Sequence, residues 1–350
     1  MLKDLTSRLA VIVLLASFLL SACSSIGGPT PTEVEIVFDP AEIQTQQAPS
    51  TPALTPTLRP TPTATATLNP TEVPTPTNTL DPYSALVAQG TQQREAGELD
   101  QAITTLTEAI KLDPANPAAY IQRGIVYNVM ENPDQALIDF NFAINYDPNS
   151  AEAYNARGVA WSLKEQFRQA VLDFNKALEL QPDYVGAYTN RGIAYMNQQE
   201  VETALADFTK AIELQPDNAE MYFNRGQTYL LANGIEPGPG YLDLCIQDFS
   251  QAIVLDPTNP ESFNKRATCH LLKSEFEAAY NDFTEAIRLA PDDPNFYLYR
   301  ATLYPDFGQL DAALADAQKV LELTQDAELR AAAEQLLKDL PTQPTPTTGP

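Results

Sequence analysis

The feature that most constrains this chain is a proline that returns at a fixed interval. The series runs through Pro114, Pro148, Pro182, Pro216, Pro257 and Pro291, and all its steps are equal except that from Pro216 to Pro257, which is seven longer. A constant period of about 34 residues is typical of repeat architectures, in which each unit buries its apolar face against its neighbours. Boundaries placed just after each proline predict seven units: 83–116, 117–150, 151–184, 185–218, 219–259, 260–293 and 294–327.

Each unit is predicted to be a pair of helices. The second half of 151–184 carries apolar residues at i, i+1, i+4, i+7 and i+8, which is the spacing of one helix face: Ala170, Val171, Phe174, Ala177 and Leu178. Asparagine before proline, as at Asn116 and Asn259, marks helix starts because its side chain can cap the helix. Residues 328–340 are predicted to form a last helix that covers the open apolar end.

The unit resembles the tetratricopeptide repeat, whose pattern sets an aromatic, a glycine, an aromatic, alanine, phenylalanine, alanine and proline at fixed places. In 117–150 these are Tyr120, Gly124, Tyr127, Ala136, Phe140, Ala143 and Pro148. The resemblance covers about 83–327 and implies an all-α superhelical solenoid of helix-turn-helix repeats. It also implies that the glycine lets the two helices of a unit approach closely, facing the small alanine of the second helix.

An arginine recurs on the first helix of units two to seven. An aspartate follows each arginine at one constant separation, which grows by seven in the unit that has gained seven residues, and in unit one both positions are neutral. We therefore predict an ion pair between the two helices of each unit, with the bidentate geometry that arginine and carboxylate favour. The predicted pairs are Arg123–Asp139, Arg157–Asp173, Arg191–Asp207, Arg225–Asp248, Arg266–Asp282 and Arg300–Asp316. The alternative is a row of arginines that binds acidic ligands.

The two ends of the chain have a different composition. Residues 1–22 join a weakly basic start to a short apolar run, which predicts an export signal peptide, and "LSAC" resembles the lipobox of bacterial lipoproteins. That resemblance implies that Cys23 carries lipid and anchors the chain to the extracytoplasmic side of a membrane; the alternative is a plain secretory signal. Residues 23–82 are predicted to be a disordered Thr/Pro-rich spacer, and 341–350 a disordered tail.

Composition argues against several kinds of function. The net charge is −25, from 21 Lys and Arg against 46 Asp and Glu, so nucleic acid is not an expected partner. The chain has one histidine and three cysteines, which limits histidine-based catalysis and zinc sites. We predict a protein that is not an enzyme and holds no cofactor or metal. His270 stands where other units have tyrosine or tryptophan, and is interpreted as a partly buried substitute for them.

Units five and six carry two irregular features. Cys245 and Cys269 replace small residues on adjacent helices, which predicts either two packed thiols or, in an exported protein, a disulfide. The seven added residues fall within 230–244, between the helices of unit five, where glycine and proline predict a loop. A neutral surface extension is the default interpretation, and a partner-contact loop containing Ile235 and Tyr241 is the alternative.

In the tetratricopeptide-repeat family the first helices line a concave groove that takes segments of other proteins. The matching positions here are Ile121, Ile125, Asn155, Val159, Thr189, Asn190, Ile193, Phe223, Asn224, Gln227, Asn264 and Lys265. Because Lys265 is the one cation among them, we expect a scaffold or adaptor with a neutral or basic partner segment, steered by the acidity of the chain. The alternative function is a glycan- or wall-binding module that uses Phe223, Tyr299 and the amides. The oligomeric state stays open.

Overall fold

The computed structural model describes residues 81–238, 240–307 and 309–340, which form fifteen α-helices and no strand. The helices are α1 (Pro82–Glu95), α2 (Leu99–Leu112), α3 (Pro117–Val129), α4 (Pro133–Tyr146), α5 (Ala151–Leu163), α6 (Phe167–Leu180), α7 (Val185–Asn197), α8 (Val201–Leu214), α9 (Ala219–Ile235), α10 (Tyr241–Leu255), α11 (Pro260–Leu272), α12 (Phe276–Leu289), α13 (Pro294–Phe307), α14 (Leu310–Leu323) and α15 (Ala327–Asp339). The prediction of an all-α solenoid is confirmed. The predicted signal peptide, Cys23, all but the last two residues of the spacer, and the tail lie outside the described residues.

The recurring proline explains where each second helix ends. Asp113, Asp147 and Asp256 each stand directly before one of these prolines and have extended φ values of −138°, −133° and −135°. A proline ring clashes with a helical residue before it, so the chain must leave the helix there. The next first helix then begins at a cap: the side chain of Asn116 accepts a hydrogen bond from the Ala118 amide at 3.2 Å.

The helices pack as consecutive layers. Within each unit the first helix lies against the second, and the second helix lies against the first helix of the next unit. From α1 to α11 the first helices of neighbouring units also contact one another. The core is therefore a series of similar small clusters, as expected of a repeat protein. At the C-terminal end, Leu329 and Leu336 of α15 cover Val320 of α14.

In units one to five the glycine of the first helix faces a large side chain of the second helix, which corrects the expectation that it faces the alanine. Units six and seven have Ala267 and Ala301 at this position. A Cβ added at Gly158 would lie 2.5 Å from Cε1 of Phe174, far inside van der Waals contact. At Gly226 the nearest ring carbon of Phe249 is 3.1 Å away. The glycine thus makes room for a fully buried phenylalanine ring, whose burial offsets the helix propensity that glycine loses.

The inserted residues of unit five are mostly helical, which corrects the prediction of a loop over 230–244. The first helix of this unit, α9, has 17 residues where α5 and α7 have 13, and α10 begins at Tyr241. Four extra residues make about one helical turn, so α9 grows along its own axis and keeps its packing. Residues 236–238 and Gly240 are described between the two helices, with the exposed Ile235 at the end of α9.

Candidate functional site

Each of the six predicted arginines donates two hydrogen bonds to one aspartate of its own unit. Nε donates to Oδ2 at 2.7–2.8 Å, and Nη2 donates to Oδ1 at 2.6–3.0 Å. The structure thus brings together Arg123–Asp139, Arg157–Asp173, Arg191–Asp207, Arg225–Asp248, Arg266–Asp282 and Arg300–Asp316 within their own units. This parallel two-bond geometry fixes the position of one helix relative to the other.

The third nitrogen of each arginine reaches the preceding unit, a link that the sequence interpretation missed. Nη1 donates at 2.6–3.2 Å to a short polar side chain on the previous second helix. The acceptors are Thr107, Asn141, Asn175, Thr209, Ser250 and Thr284. All six stand at the same distance before their arginines in the sequence, and that regular Thr, Asn or Ser is the signal from which the link could have been found. The arginine ladder, meaning these six arginines with both sets of partners, therefore joins units as well as helices.

The burial and pairing of the charges in the arginine ladder indicate a structural role. Asp139 is buried, and its burial raises the pKa of its carboxyl despite the two bonds from Arg123. The same two bonds raise the pKa of Arg123, which keeps the guanidinium charged. Because all three nitrogens of each guanidinium already have protein partners, the ladder leaves little capacity for the acidic ligand considered as the alternative.

The twelve residues predicted to line the groove divide into two groups. Five are buried, which corrects their assignment to an open surface: Ile121, Thr189, Asn224, Asn264 and Lys265. The reason is that neighbouring first helices contact each other and cover these positions. Seven are half-buried and form what we call the first-helix face: Ile125, Asn155, Val159, Asn190, Ile193, Phe223 and Gln227.

Amides on the first helices are paired in one region and unpaired in another. Asn190 donates to the side-chain oxygen of Asn155 at 3.1 Å, and Asn155 donates to the Tyr184 hydroxyl at 3.4 Å. In units five and six Asn224 Nδ2 and Asn264 Oδ1 are buried and have no hydrogen-bond partner within the described residues, and the same holds for Gln93 Oε1 and Asn128 Oδ1 in units one and two. Buried polar atoms without partners are rare in folded proteins.

The residues considered for glycan binding are packed into the core. Tyr299 is buried, with its ring centroid 5.7 Å from that of Phe283. Phe223 meets Phe249 edge-on at 5.4 Å between centroids. An aromatic platform for a sugar must be exposed on one face, which the buried Tyr299 is not, and the half-buried Phe223 packs against a ring of the core.

His270 and the cysteines also have defined surroundings. The Nδ1 atom of His270 lies 2.7 Å from Oε2 of Glu275, and its side chain is mostly covered. Cys245 of α10 and Cys269 of α11 are joined by a disulfide, with Cα atoms 6.4 Å apart and both residues fully buried. The bridge connects units five and six. Within the described ranges, no group of three or more His, Cys, Asp or Glu residues could hold a metal ion.

Comparison with known families supports the repeat assignment. The model described as Tetratricopeptide repeat matches residues 151–184 and 185–218, and the one described as TPR repeat matches residues 90–128. No curated protein matches the chain in sequence. No helix among the described residues is both long enough and apolar enough to cross a bilayer.

Several solved structures share the fold. They include pilF of Pseudomonas aeruginosa, at 16% identity and a TM-score of 0.54, covering 63% of this chain and 96% of that one. PilW, described as a widely conserved type IV pilus biogenesis factor, is 21% identical with a TM-score of 0.55, covering 60% of this chain and 94% of that one. A tetratricopeptide repeat protein from Parabacteroides merdae ATCC 43184 is 18% identical with a TM-score of 0.53, covering 73% and 98%.

These identities show the fold alone. The helical region therefore has the fold of a tetratricopeptide-repeat solenoid, and residues 90–128 and 151–218 match the repeat models themselves.

Proposed function

We propose that this chain is a non-catalytic scaffold that binds a segment of another protein along the first-helix face, and that lipid on Cys23 anchors it outside the cytoplasm. Tetratricopeptide-repeat proteins are generally protein–protein interaction scaffolds, and the fold is typically non-enzymatic. The anchoring half of the proposal rests on the "LSAC" motif and on the Thr/Pro-rich stretch that follows it.

The observation that carries the binding half is the first-helix face, which stays partly open on four successive first helices, from Ile125 of α3 to Gln227 of α9. Its seven side chains are uncharged, and apolar residues such as Val159 and Ile193 lie beside amides. A segment of another protein can lie across these helices with its apolar side chains on Val159 and Ile193 and its polar groups at the Gln227 amide.

The net charge of the chain limits which partner segments can bind. The net charge of −25 attracts cationic partners and repels acidic ones over the range of the Debye length. None of the seven side chains of the first-helix face is charged, so an acidic segment would find no cation to pair with there. We therefore propose a neutral or basic segment.

The binding test uses the full chain with a photo-crosslinking amino acid at one of three positions. Val159 and Gln227 lie on the first-helix face, and the exposed Glu179 of α6 is the control on a second helix. Crosslinking in the envelope of the producing cell, followed by mass spectrometry, should give the same partner peptide from Val159 and Gln227 and not from Glu179. Equal crosslinking from all three positions, or none from the first two, would contradict the proposal.

A pair of substitutions tests the first-helix face. Ile193→Glu places a negative charge on this face between Val159 and Gln227, so it should reduce crosslinking from both positions. Asn224→Leu is the control: it removes a buried, unpaired group that a bound segment does not touch, so it should leave the crosslinking unchanged and the thermal midpoint unchanged or higher. Unchanged crosslinking in a folded Ile193→Glu protein would remove the first-helix face from the binding site.

Anchoring is tested separately by partition between aqueous buffer and a non-ionic detergent phase. The full chain expressed in a bacterium should enter the detergent phase, and Cys23→Ser should leave it, since the thiol is the site of acylation. Ser24→Ala is the neighbouring control and should partition like the wild type. Detergent partition of Cys23→Ser would reject the lipid anchor without affecting the binding proposal.

A further inference from the structure

The second helix of unit two has an apolar outer face. Ile138, Phe142 and Tyr146 follow each other at i, i+4 and i+8 on α4, and they are 48%, 46% and 41% exposed. Residues at this spacing lie on one side of a helix. We call these three residues the α4 face.

The repeat allows the α4 face to be compared with the same surface in every other unit. At the register of Phe142 the other second helices carry polar or charged residues: Glu108, Lys176, Lys210, Gln251, Glu285 and Lys319. At the register of Ile138 they carry Thr104, Leu172, Ala206, Gln247, Asn281 and Ala315. Unit two is thus the one unit with a large apolar residue at all three positions. Since solvated helix faces are normally polar, this concentration indicates a binding surface.

The rings of the α4 face are held from beneath. The Tyr120 ring of α3 lies 5.4 Å from that of Phe142 and 5.8 Å from that of Tyr146, centroid to centroid. The Tyr120 hydroxyl donates to the carbonyl of Pro114 at 3.1 Å, which fixes this supporting ring. A surface whose rings are already positioned loses little side-chain entropy when a partner binds.

The surroundings of the α4 face carry acidic charge. No lysine or arginine occurs between Arg123 and Arg157, whereas Glu131, Asp134 and Asp147 flank the helix. Two cations of the next unit bond to α4, and both are engaged: Lys164 with Asp134, and Arg157 of the arginine ladder with Asn141. An apolar strip with an acidic rim is complementary to an amphipathic segment with cationic flanks.

The size of the surface also limits its occupant. Three half-exposed side chains offer roughly a few hundred Å² at most, whereas stable protein interfaces bury about 1,200–2,000 Å² in total. That area suits a short segment better than a second copy of the chain.

We propose that the α4 face docks a short amphipathic helix of another protein, with Lys or Arg beside its apolar stripe. The surface belongs to a second helix, so it is separate from the first-helix face. A partner on one does not require a partner on the other.

The test uses a fluorescein-labelled peptide long enough for about four helical turns, with leucines at i, i+4, i+7 and i+11 and lysines at the remaining surface positions. Its binding to the full chain is followed by fluorescence anisotropy in about 0.15 M salt, where distant charges are screened. Phe142→Gln should weaken binding at least tenfold. The variant keeps the net charge, and Gln251 occupies this register in α10, so the fold accepts the residue. Ile138→Thr, which copies the residue at Thr104 of α2, is the second variant and should weaken binding in the same direction.

The matched control is Leu172→Gln. Leu172 of α6 is 66% exposed, but the residue four positions later on the same helix face is Lys176, so Leu172 lies outside any apolar strip. It should bind the peptide like the wild type. A twin peptide with glutamate in place of each lysine should bind at least tenfold more weakly than the lysine peptide.

Four results would overturn the proposal. Equal binding by wild type and both α4 variants would show that the peptide does not use the α4 face, and equal binding of the twin peptide would remove the cationic requirement. A wild-type dimer in sedimentation that becomes a monomer in Phe142→Gln would assign the face to a second copy. Residues 33–38 of the spacer, EVEIVF, alternate apolar and acidic residues at their start. Stronger peptide binding after deletion of this stretch would assign the α4 face to that segment of the chain itself.

Discussion

Units three and four differ from units five and six in period, amide pairing and covalent linkage, but not in the way their helices are joined. Residues 151–218 keep the regular period, match the family model twice, and pair their amides through Asn155 and Asn190. Residues 219–293 contain the longer α9, the disulfide, and the unpaired amides of Asn224 and Asn264. The contrast shows which parts of a unit are fixed by packing and which are free to vary.

The arginine ladder is the part that does not change. Arg225 and Asp248 are 23 residues apart, yet their two hydrogen bonds of 2.7 and 2.8 Å match those of Arg157 and Asp173. The insertion lengthens α9 beyond the ladder and leaves the packed half of the unit in register. A unit can therefore gain residues at its turn while its arginine stays linked to its own aspartate and to the preceding unit.

The largest effect should come from breaking the ladder. Arg157→Met leaves Asp173 buried without its cation, and the removal of one partner of a buried pair costs about 3–5 kcal/mol. Arg225→Met should cost the same, because the geometry is the same in the irregular unit. Urea unfolding followed by circular dichroism measures both variants.

The double variant Arg157→Met/Asp173→Leu supplies the control. It replaces the pair by apolar groups, so most of the lost stability should return. A large difference between the two single variants would show that the insertion has changed the energetics of the ladder even though its geometry is preserved. Unaltered crosslinking from Gln227 in a folded Arg157→Met protein would confirm that the ladder is structural.

The next effect is confined to the irregular region. The Cys245–Cys269 bridge joins residues separated by 24 positions, and such a constraint contributes about 3 kcal/mol. Reduction should therefore lower hydrogen-exchange protection in α10 and α11 while α5 to α8 keep theirs. Titration of thiols in the unfolded, unreduced protein is the direct check, and two reactive thiols at these positions would favour the packed-thiol alternative.

A smaller loss of stability should distinguish unit three from unit five when the glycine of the first helix is replaced by alanine. Gly158→Ala places a methyl group 2.5 Å from a buried ring carbon of Phe174, and such overpacking costs about 1–3 kcal/mol. At Gly226 the contact is 3.1 Å, and the gain in helix propensity of about 1 kcal/mol offsets most of the strain. Urea midpoints of the two variants should differ in this order, and equal losses would mean that the phenylalanine rings yield equally in both units.

The periodic part of this architecture could be predicted from the sequence, whereas the contacts between particular side chains could not. The proline period gave the helix pairs, and the joint presence of arginine and aspartate in each unit gave their partners. Three features depend on packing in space and cannot be read from the repeat period. The glycine faces phenylalanine, neighbouring first helices bury Thr189 and Asn264, and α9 continues through the insertion. The third bond of each arginine was visible as a recurring Thr, Asn or Ser, but it needed the neighbouring unit in space to give it meaning.

The smallest effect concerns the turn between the helices of a unit. Glu165 and Ser274 have φ values of 58° and 62°, in the left-handed region, which is strained for residues other than glycine. At the same position of the repeat, unit one has Gly97. Glycine relieves about 1 kcal/mol of strain, but it also loses about 0.4–1 kcal/mol because the unfolded chain becomes freer. Glu165→Gly and Ser274→Gly should therefore raise the urea midpoint slightly and equally. A clear gain in one and a loss in the other would mean that the insertion, which lies one unit earlier, reaches the turn of unit six, and the fixed and variable parts of the repeat would then not be independent.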